Sequence, residues 1–103
     1  MLYKAERRIA RIREAVGEEI DLCLELHRRL EPGLAVQLSA RLEPYNPMFL
    51  EDPIRPDNFD AMGEVARKCR IPIATGERIH TSHEFEMLLA REACSYVSVS
   101  MGV

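Results

Sequence analysis

The hydrophobic pattern of this chain alternates four times between a helical and a strand-like period. Segments in which apolar residues recur every three or four positions are typical of amphipathic helices, and they cover residues 3–16, 30–42, 59–69 and 81–89. Each is followed by a short apolar run typical of a strand, at residues 20–27, 48–51, 71–76 and 96–100. The pattern therefore predicts four helix–strand units.

Residues with known preferences for helix ends mark the boundaries of these units. Gly17 is a favourable C-terminal stop for the first helix, and Pro32 suits the first turn of the second. Asp57 is the predicted N-cap of the third helix. Thr81, with Glu84 three residues later, predicts a capping box at the start of the fourth helix.

In the first strand, a period of two separates an apolar face from a polar one. The apolar face consists of Ile20, Leu22, Leu24 and Leu26. Glu25 and His27 belong to the other face, because alternate residues of a strand point to the same side. We therefore expect these two side chains to lie close together at the end of the strand.

The order of the elements predicts the α/β class. Strands joined by helices run parallel, because a right-handed crossover returns the chain in the same direction. The pattern does not distinguish an open sheet from part of a barrel. In both architectures ligands bind at the carboxyl ends of the strands.

Length, charge and cysteine content narrow the range of functions. The 103 residues suffice for a single domain, and a net charge of −3 argues against nucleic acid or an anionic membrane as the main partner. No apolar stretch approaches the roughly 20 residues that span a bilayer. The cysteines are scattered and lie among apolar residues, which predicts reduced, buried thiols in a cytoplasmic protein. They are Cys23, Cys69 and Cys94.

Three glutamates lie at the ends of successive short apolar runs, at equal intervals. Glu25, Glu51 and Glu77 are 26 residues apart in both steps. Three carboxylates that converge repel one another, and a divalent cation such as Mg²⁺ removes that conflict. The alternative is that each glutamate faces solvent at a strand end. The equal spacing favours the cation site.

Two further residues flank the predicted cation site. His27 lies two residues beyond Glu25, and an imidazole there could exchange a proton with a metal-bound substrate. Arg78 adjoins Glu77 and could bind a substrate carboxylate through two hydrogen bonds, or only pair with an acid. His80 and His83 are expected on the surface.

Three stretches of this sequence resemble the enolase superfamily, and most closely its acid-sugar dehydratases of galactonate or mannonate dehydratase type. They are Leu24–His27, Phe49–Pro53 and Ile71–Arg78. The resemblance implies a partial (βα)8 barrel, in which residues 1–103 form a single domain corresponding to the second helix through the sixth strand. It also implies that Glu25, Glu51 and Glu77 are Mg²⁺ ligands.

The same resemblance implies a reaction and a ligand. In these dehydratases the metal stabilises the enediolate that forms when a base removes the proton α to the carboxylate of a sugar acid. His27 matches the histidine whose acid form helps to expel the 3-hydroxyl group.

The chain also departs from the dehydratase pattern. Glu25 replaces the usual aspartate, and Ser100 stands where an aspartate supports a catalytic histidine. The capping domain, the first two strands and the last two strands have no counterpart here. We therefore expect a Mg²⁺-binding domain with weak or no turnover alone. The alternatives are a non-catalytic structural domain and an enzyme that receives its base from a second copy or a separate chain.

The partial barrel predicts self-association. Two open sheet edges and an apolar inner face are costly to expose in a monomer. We expect a homo-oligomer, for which a dimer that rebuilds an eight-stranded sheet is one arrangement.

Overall fold

The computed structural model describes residues 2–100, which form four helices and a four-stranded parallel sheet. The helices are α1 (Leu2–Val16), α2 (Pro32–Leu42), α3 (Phe59–Lys68) and α4 (Ser82–Ala90). The strands are β1 (Cys23–Glu25), β2 (Phe49–Glu51), β3 (Ile73–Thr75) and β4 (Tyr96–Val97). A short 3₁₀ helix, Glu43–Tyr45, follows α2. Positions 1 and 101–103 of the predicted domain lie outside the described residues.

The sheet is wound in one direction. Its order is β1-β2-β3-β4, the same as the order in sequence, and all three neighbouring pairs are parallel. A doubly wound sheet reverses its strand order at a switch point, whereas successive strands of a (βα)8 barrel lie side by side. The predicted α/β class with parallel strands is confirmed, and the strand order is that of a barrel segment.

The core lies between the sheet and the helices, in two clusters. One surrounds the buried residues Leu38, Leu42, Leu50, Ile71 and Ile73, against which α1 also packs. The other joins α2, α3 and α4 through Ala35, Met62, Val65, Leu88 and Ala93. Since apolar burial contributes roughly 25 cal/mol per Å², these clusters fix the helices on the sheet and so hold the strand ends in place.

Most of the predicted helix ends are confirmed. Gly17 adopts φ 82° and its N–H donates to the Arg13 carbonyl at 2.9 Å. The capping box of Thr81 and Glu84 is present. The N-cap of α3 is Asn58, not the predicted Asp57, because α3 begins at Phe59 and the Asn58 side chain accepts from the Ala61 N–H at 3.0 Å.

The outer strands are shorter than predicted. β1 covers Cys23–Glu25 within the predicted 20–27, and Ile20 of its predicted apolar face is 53% exposed. β4 ends at Val97, before the predicted end at Ser100. The outer strands are short because each pairs with a neighbour, β2 or β3, that contributes only three residues to the sheet. None of the helices within residues 2–100 has the length and hydropathy needed to cross a membrane.

Arg13 is a buried guanidinium that joins the amino-terminal ends of β1 and β2. It is 7% exposed and donates to the carbonyl oxygens of Gly17 at 2.8 Å, Ile20 at 2.6 Å, Tyr45 at 3.0 Å and Asn46 at 3.2 Å. One side chain thereby satisfies four backbone acceptors of the loops that precede the strands, including the C-terminal end of α1.

Replacing Arg13 with leucine should therefore destabilise the protein by about 2–4 kcal/mol, because four backbone carbonyl groups would lose the donor that this buried side chain supplies. Urea denaturation followed by circular dichroism measures the change. Arg11→Leu, on the exposed side of the same helix, is the matched control and should change stability little. Equal destabilisation by both variants would contradict a structural role for Arg13.

Candidate metal centre

Two of the three glutamates meet through the register of the sheet. Glu25 pairs directly with Glu51, each at the last position of its strand. Paired residues of neighbouring parallel strands point to the same face, so the two carboxylates lie side by side. This contact follows from the backbone alone.

The third glutamate, Glu77, is not paired with Glu51 in the sheet. The β3 residue opposite Glu51 is Ala74, three positions before Glu77. The chain bends between them at Gly76, which has φ 133°, and a Cβ at this position would collide with the carbonyl oxygen of Ser98. Only glycine fits both requirements. The three glutamates are equally spaced in sequence, but they are not at the same level of the sheet, because Glu77 lies three residues beyond the partner of Glu51. The bend at Gly76 compensates for this difference.

Asp52 is a fourth carboxylate at the same point. It is 1% exposed and adopts φ 46°, and its Oδ1 accepts from the Thr75 hydroxyl at 2.7 Å. Its Oδ2 is buried and has no hydrogen-bond partner among the described residues. Ligand oxygens of the four acids all lie within 4.8 Å of one another. Asp52 was given no role from the sequence, although its position next to Glu51 was a usable signal.

Burial and crowding raise the pKa of two of the acids, Glu51 and Asp52. Burial, followed by the contact with Glu25, raises the pKa of Glu51 from 4.5 to about 7. Burial also raises the pKa of Asp52, and the Thr75 hydroxyl opposes that shift by bonding to the ionised form. At neutral pH the metal-free cluster therefore retains part of a proton on Glu51.

Arg28 is the cation that the structure places against this cluster. Its Nη1 donates to Glu77 Oε1 at 2.9 Å and lies 3.6 Å from Asp52 Oδ2, and its side chain is 16% exposed. Arg28 was given no role from the sequence; Arg78 was named instead, as a residue that could bind a substrate carboxylate or only pair with an acid. Arg78 is exposed and takes part in none of the ion pairs found among residues 2–100. Nothing in the hydrophobic pattern distinguished Arg28, which lies in the loop after β1.

His27 lies beside Glu25, as expected from the strand period. Its Nδ1 is 3.4 Å from Glu25 Oε1, and its Nε2 is 3.5 Å from Arg28 Nη2. Because a carboxylate only accepts hydrogen bonds, Nδ1 is the ring nitrogen placed to donate toward Glu25. The side chain is 62% exposed, so the ring remains accessible to a ligand. His80 and His83 are exposed, as predicted.

The residues present fit a hard divalent cation. They offer carboxylate oxygens, the ligand type that Mg²⁺ prefers. Their mutual repulsion and the buried, unbonded Oδ2 of Asp52 both call for additional positive charge. One guanidinium cannot neutralise four carboxylates.

The fold and the site together define a segment of a (βα)8 barrel that carries an acidic cluster at the carboxyl ends of its strands. The family model described as enolase C-terminal domain-like matches residues 2–102. The chain belongs to this family, which confirms the resemblance to the enolase superfamily.

Known relatives show the same relationship. D-galactonate dehydratase of Klebsiella pneumoniae (strain 342) is 37% identical over 81 residues, which is 79% of this chain and 21% of the dehydratase. A mandelate racemase/muconate lactonizing enzyme-like protein from Rubrobacter xylanophilus DSM 9941 superposes with a TM-score of 0.93 at 33% identity, over 96% of this chain and 25% of that protein.

A third protein extends the comparison to a ligand-bound structure. An enolase from Bradyrhizobium, solved in complex with magnesium and mandelic acid, gives a TM-score of 0.93 at 27% identity, over 96% of this chain and 27% of that protein. The chain thus spans about a fifth to a quarter of these relatives' lengths. It matches the barrel part of enolase-superfamily structures, which confirms the predicted partial (βα)8 barrel.

The raised pKa of Glu51 predicts how stability depends on pH. A carboxyl group whose pKa is higher in the folded state binds its proton more tightly there, so its contribution to stability is present below pH 4.5 and is lost as pH rises through about 7. The shift of Asp52 acts in the same direction. The lowered pKa of Glu84 has the opposite sign, but it acts below the ordinary pKa of that group, 4.5.

We therefore expect the metal-free protein to be less stable at pH near 8 than at pH near 5, and Glu51→Gln to reduce that difference and stabilise the protein at the higher pH. Thermal unfolding in EDTA at both pH values measures the effect. Glu86→Gln, at an exposed position of α4, is the control. An unchanged pH dependence in Glu51→Gln would contradict the assignment of the shift to Glu51.

Proposed function

We propose that this chain is the cation-binding segment of an acid-sugar dehydratase-like member of the enolase superfamily, with weak or no turnover on its own. The observation that carries the proposal is the convergence of four carboxylates, with ligand oxygens within 4.8 Å of one another, at the carboxyl ends of parallel strands. This end of a (βα)8 barrel is where active sites of the fold lie.

Glu25, Glu51 and Glu77 would hold Mg²⁺, with Asp52 as a fourth carboxylate in the same cluster. When bound, the cation supplies positive charge that stabilises negative charge developing on a substrate carboxylate. Glu25 is one methylene longer than aspartate and is partly exposed, with a side-chain accessibility of 42%, so its carboxylate has room to adjust. The magnesium complex of the Bradyrhizobium enolase supports the choice of metal.

His27 would carry the proton transfer. Its ring lies 3.4 Å from the Glu25 carboxylate, is accessible, and can deliver a proton to a leaving hydroxyl group or remove one. Arg78, exposed next to Glu77, would bind the carboxylate of a sugar acid through two hydrogen bonds. The similarity to D-galactonate dehydratase supports the substrate class.

Weak turnover is proposed because the described residues bring only one imidazole to the cluster. The sole ion pair of a histidine within residues 2–100 is that of His27 with Glu25. Dehydration of a sugar acid requires one group to remove the α proton and another to protonate the leaving hydroxyl. His27 can serve as one of these groups in any single step.

A second candidate function is a non-catalytic domain that has kept the fold without the chemistry. Arg28 supports it, because a guanidinium already bonds to Glu77 and faces Asp52, the residues that would otherwise surround a cation. Ser100, at the position of the family's supporting aspartate, is exposed beyond the end of β4.

Isothermal titration with Mg²⁺ or Mn²⁺ at pH near 8 distinguishes these functions. We expect saturable binding by the wild-type protein and at least a tenfold weaker affinity in Glu51→Gln, because one ligand charge is lost while the shape is kept. Glu86→Gln lowers the net negative charge equally and should bind like the wild type. Equal or absent heat in the wild type and Glu51→Gln would favour the non-catalytic domain.

We also propose that this chain self-associates through its sheet edges. Within residues 2–100, β1 and β4 each pair on one side only. Apolar side chains lie exposed at or near these edges, including Ile20 at 53%, Val97 at 42% and Val99 at 57%. Unpaired edges with apolar neighbours favour pairing with another chain.

Light scattering at micromolar concentration and neutral pH should therefore give a mass of two chains or more. Val97→Lys places a charge on the β4 edge and should shift the mass toward that of one chain, because edge lysines oppose strand pairing. The control is Leu89→Lys, at an apolar position of α4 that is 57% exposed. A wild-type mass equal to one chain would contradict self-association.

A further inference from the structure

Arg28 is a largely buried arginine in the loop after β1. It follows β1 directly, and both it and His27 adopt left-handed backbone conformations, with φ 62° and 56°. Consecutive non-glycine residues in this region are uncommon and cost conformational energy. The surrounding structure must therefore hold the turn in place.

Backbone hydrogen bonds provide that support. The Leu26 N–H donates to the Glu51 carbonyl at 2.9 Å, the Arg28 N–H to the Asp52 carbonyl at 2.6 Å, and the Leu30 N–H to the Pro53 carbonyl at 3.1 Å. The loop after β1 is thus bonded along its length to the loop after β2. The Arg28 side chain starts from a fixed point above the acid cluster.

From that point the guanidinium joins the ends of three strands. One nitrogen, Nη1, bonds to Glu77 after β3 and faces the buried Oδ2 of Asp52 after β2. This Oδ2 has no hydrogen-bond partner in the described part of the chain, so Arg28 Nη1, at 3.6 Å, supplies positive charge to an otherwise uncompensated buried oxygen. Glu25 and Glu51 are not paired with Arg28.

We propose that Arg28 is the resident counter-cation of the acid cluster and that a divalent cation binds by displacing its guanidinium from Glu77. This inference rests on the proposed metal-binding function. The same carboxylate oxygen cannot serve as a metal ligand at full strength while it accepts a charge-assisted hydrogen bond at 2.9 Å. Arg28 therefore stabilises the metal-free protein and lowers its affinity for the cation.

The test compares Arg28→Met with Arg29→Met. Methionine keeps an unbranched stem, so the backbone strain at position 28 is similar in Arg28→Met and in the wild-type protein. Arg29 is the exposed neighbour and its replacement removes the same formal charge from the same loop. Two quantities are measured for each protein after treatment with EDTA, the melting temperature without metal and the Kd for Mn²⁺ by isothermal titration.

For Arg28→Met we expect Mn²⁺ affinity to rise about tenfold, as removal of a like charge a few ångströms from the ligands implies. Its melting temperature without metal should fall by about 4–8 °C. Arg29→Met should change neither quantity. If Arg28→Met folds only when Mn²⁺ is present, the proposal is also supported, because the cation then replaces the missing guanidinium.

Equal changes in both variants, weaker or unchanged Mn²⁺ binding by Arg28→Met, or a variant that stays unfolded with and without Mn²⁺ would each overturn the proposal. Absence of Mn²⁺ binding by all the proteins would instead defeat the metal-binding function. The melting temperatures in EDTA then test the role of Arg28 separately. A lower melting temperature in Arg28→Met, but not in Arg29→Met, would still support Arg28 as the counter-cation.

Discussion

Repulsion among carboxylates at one end of a parallel sheet is the constraint on which the site depends. Register places Glu25 against Glu51, and the bends after β2 and β3 add Asp52 and Glu77. Backbone hydrogen bonds across the strand ends, such as that from the Asp52 N–H to the Ala74 carbonyl at 2.9 Å, prevent the acids from moving apart. The negative charge must therefore be offset within the cluster itself.

The structure contains two such offsets, and each acts on a different half of the cluster. On the Glu25–Glu51 side, a raised pKa lets Glu51 hold a proton near neutral pH. On the Asp52–Glu77 side, the guanidinium of Arg28 supplies the charge. A divalent cation held by the same acids would be a third offset and would supply positive charge to both halves at once. In the metal-free arrangement, one proton and one arginine offset part of that charge.

Sequence reasoning succeeded where the signal is local. The period of the hydrophobic residues located the helices, and the Thr81–Glu84 capping box depends only on residues three positions apart. The convergence of Glu25, Glu51 and Glu77 could be predicted because parallel strands bring their carboxyl ends together. The position of Arg28 could not be predicted, because it requires a left-handed turn and hydrogen bonds to a different loop. The lengths of β1 and β4 were overestimated for a related reason, since the length of a strand depends on how many residues its neighbour can pair with.

The unequal halves of the cluster also determine what cation binding involves. An ion that approached Glu25 and Glu51 would meet side chains that are not paired with Arg28, but it would have to displace the proton that the raised pKa keeps on Glu51. Binding at Glu77 would then require the guanidinium to give up its 2.9 Å bond. The affinity for a cation would therefore be the difference between its attraction to the acids and the stabilisation that one proton and one arginine already supply. On the proposed function, Arg28 would contribute to that difference as well as the ligands themselves.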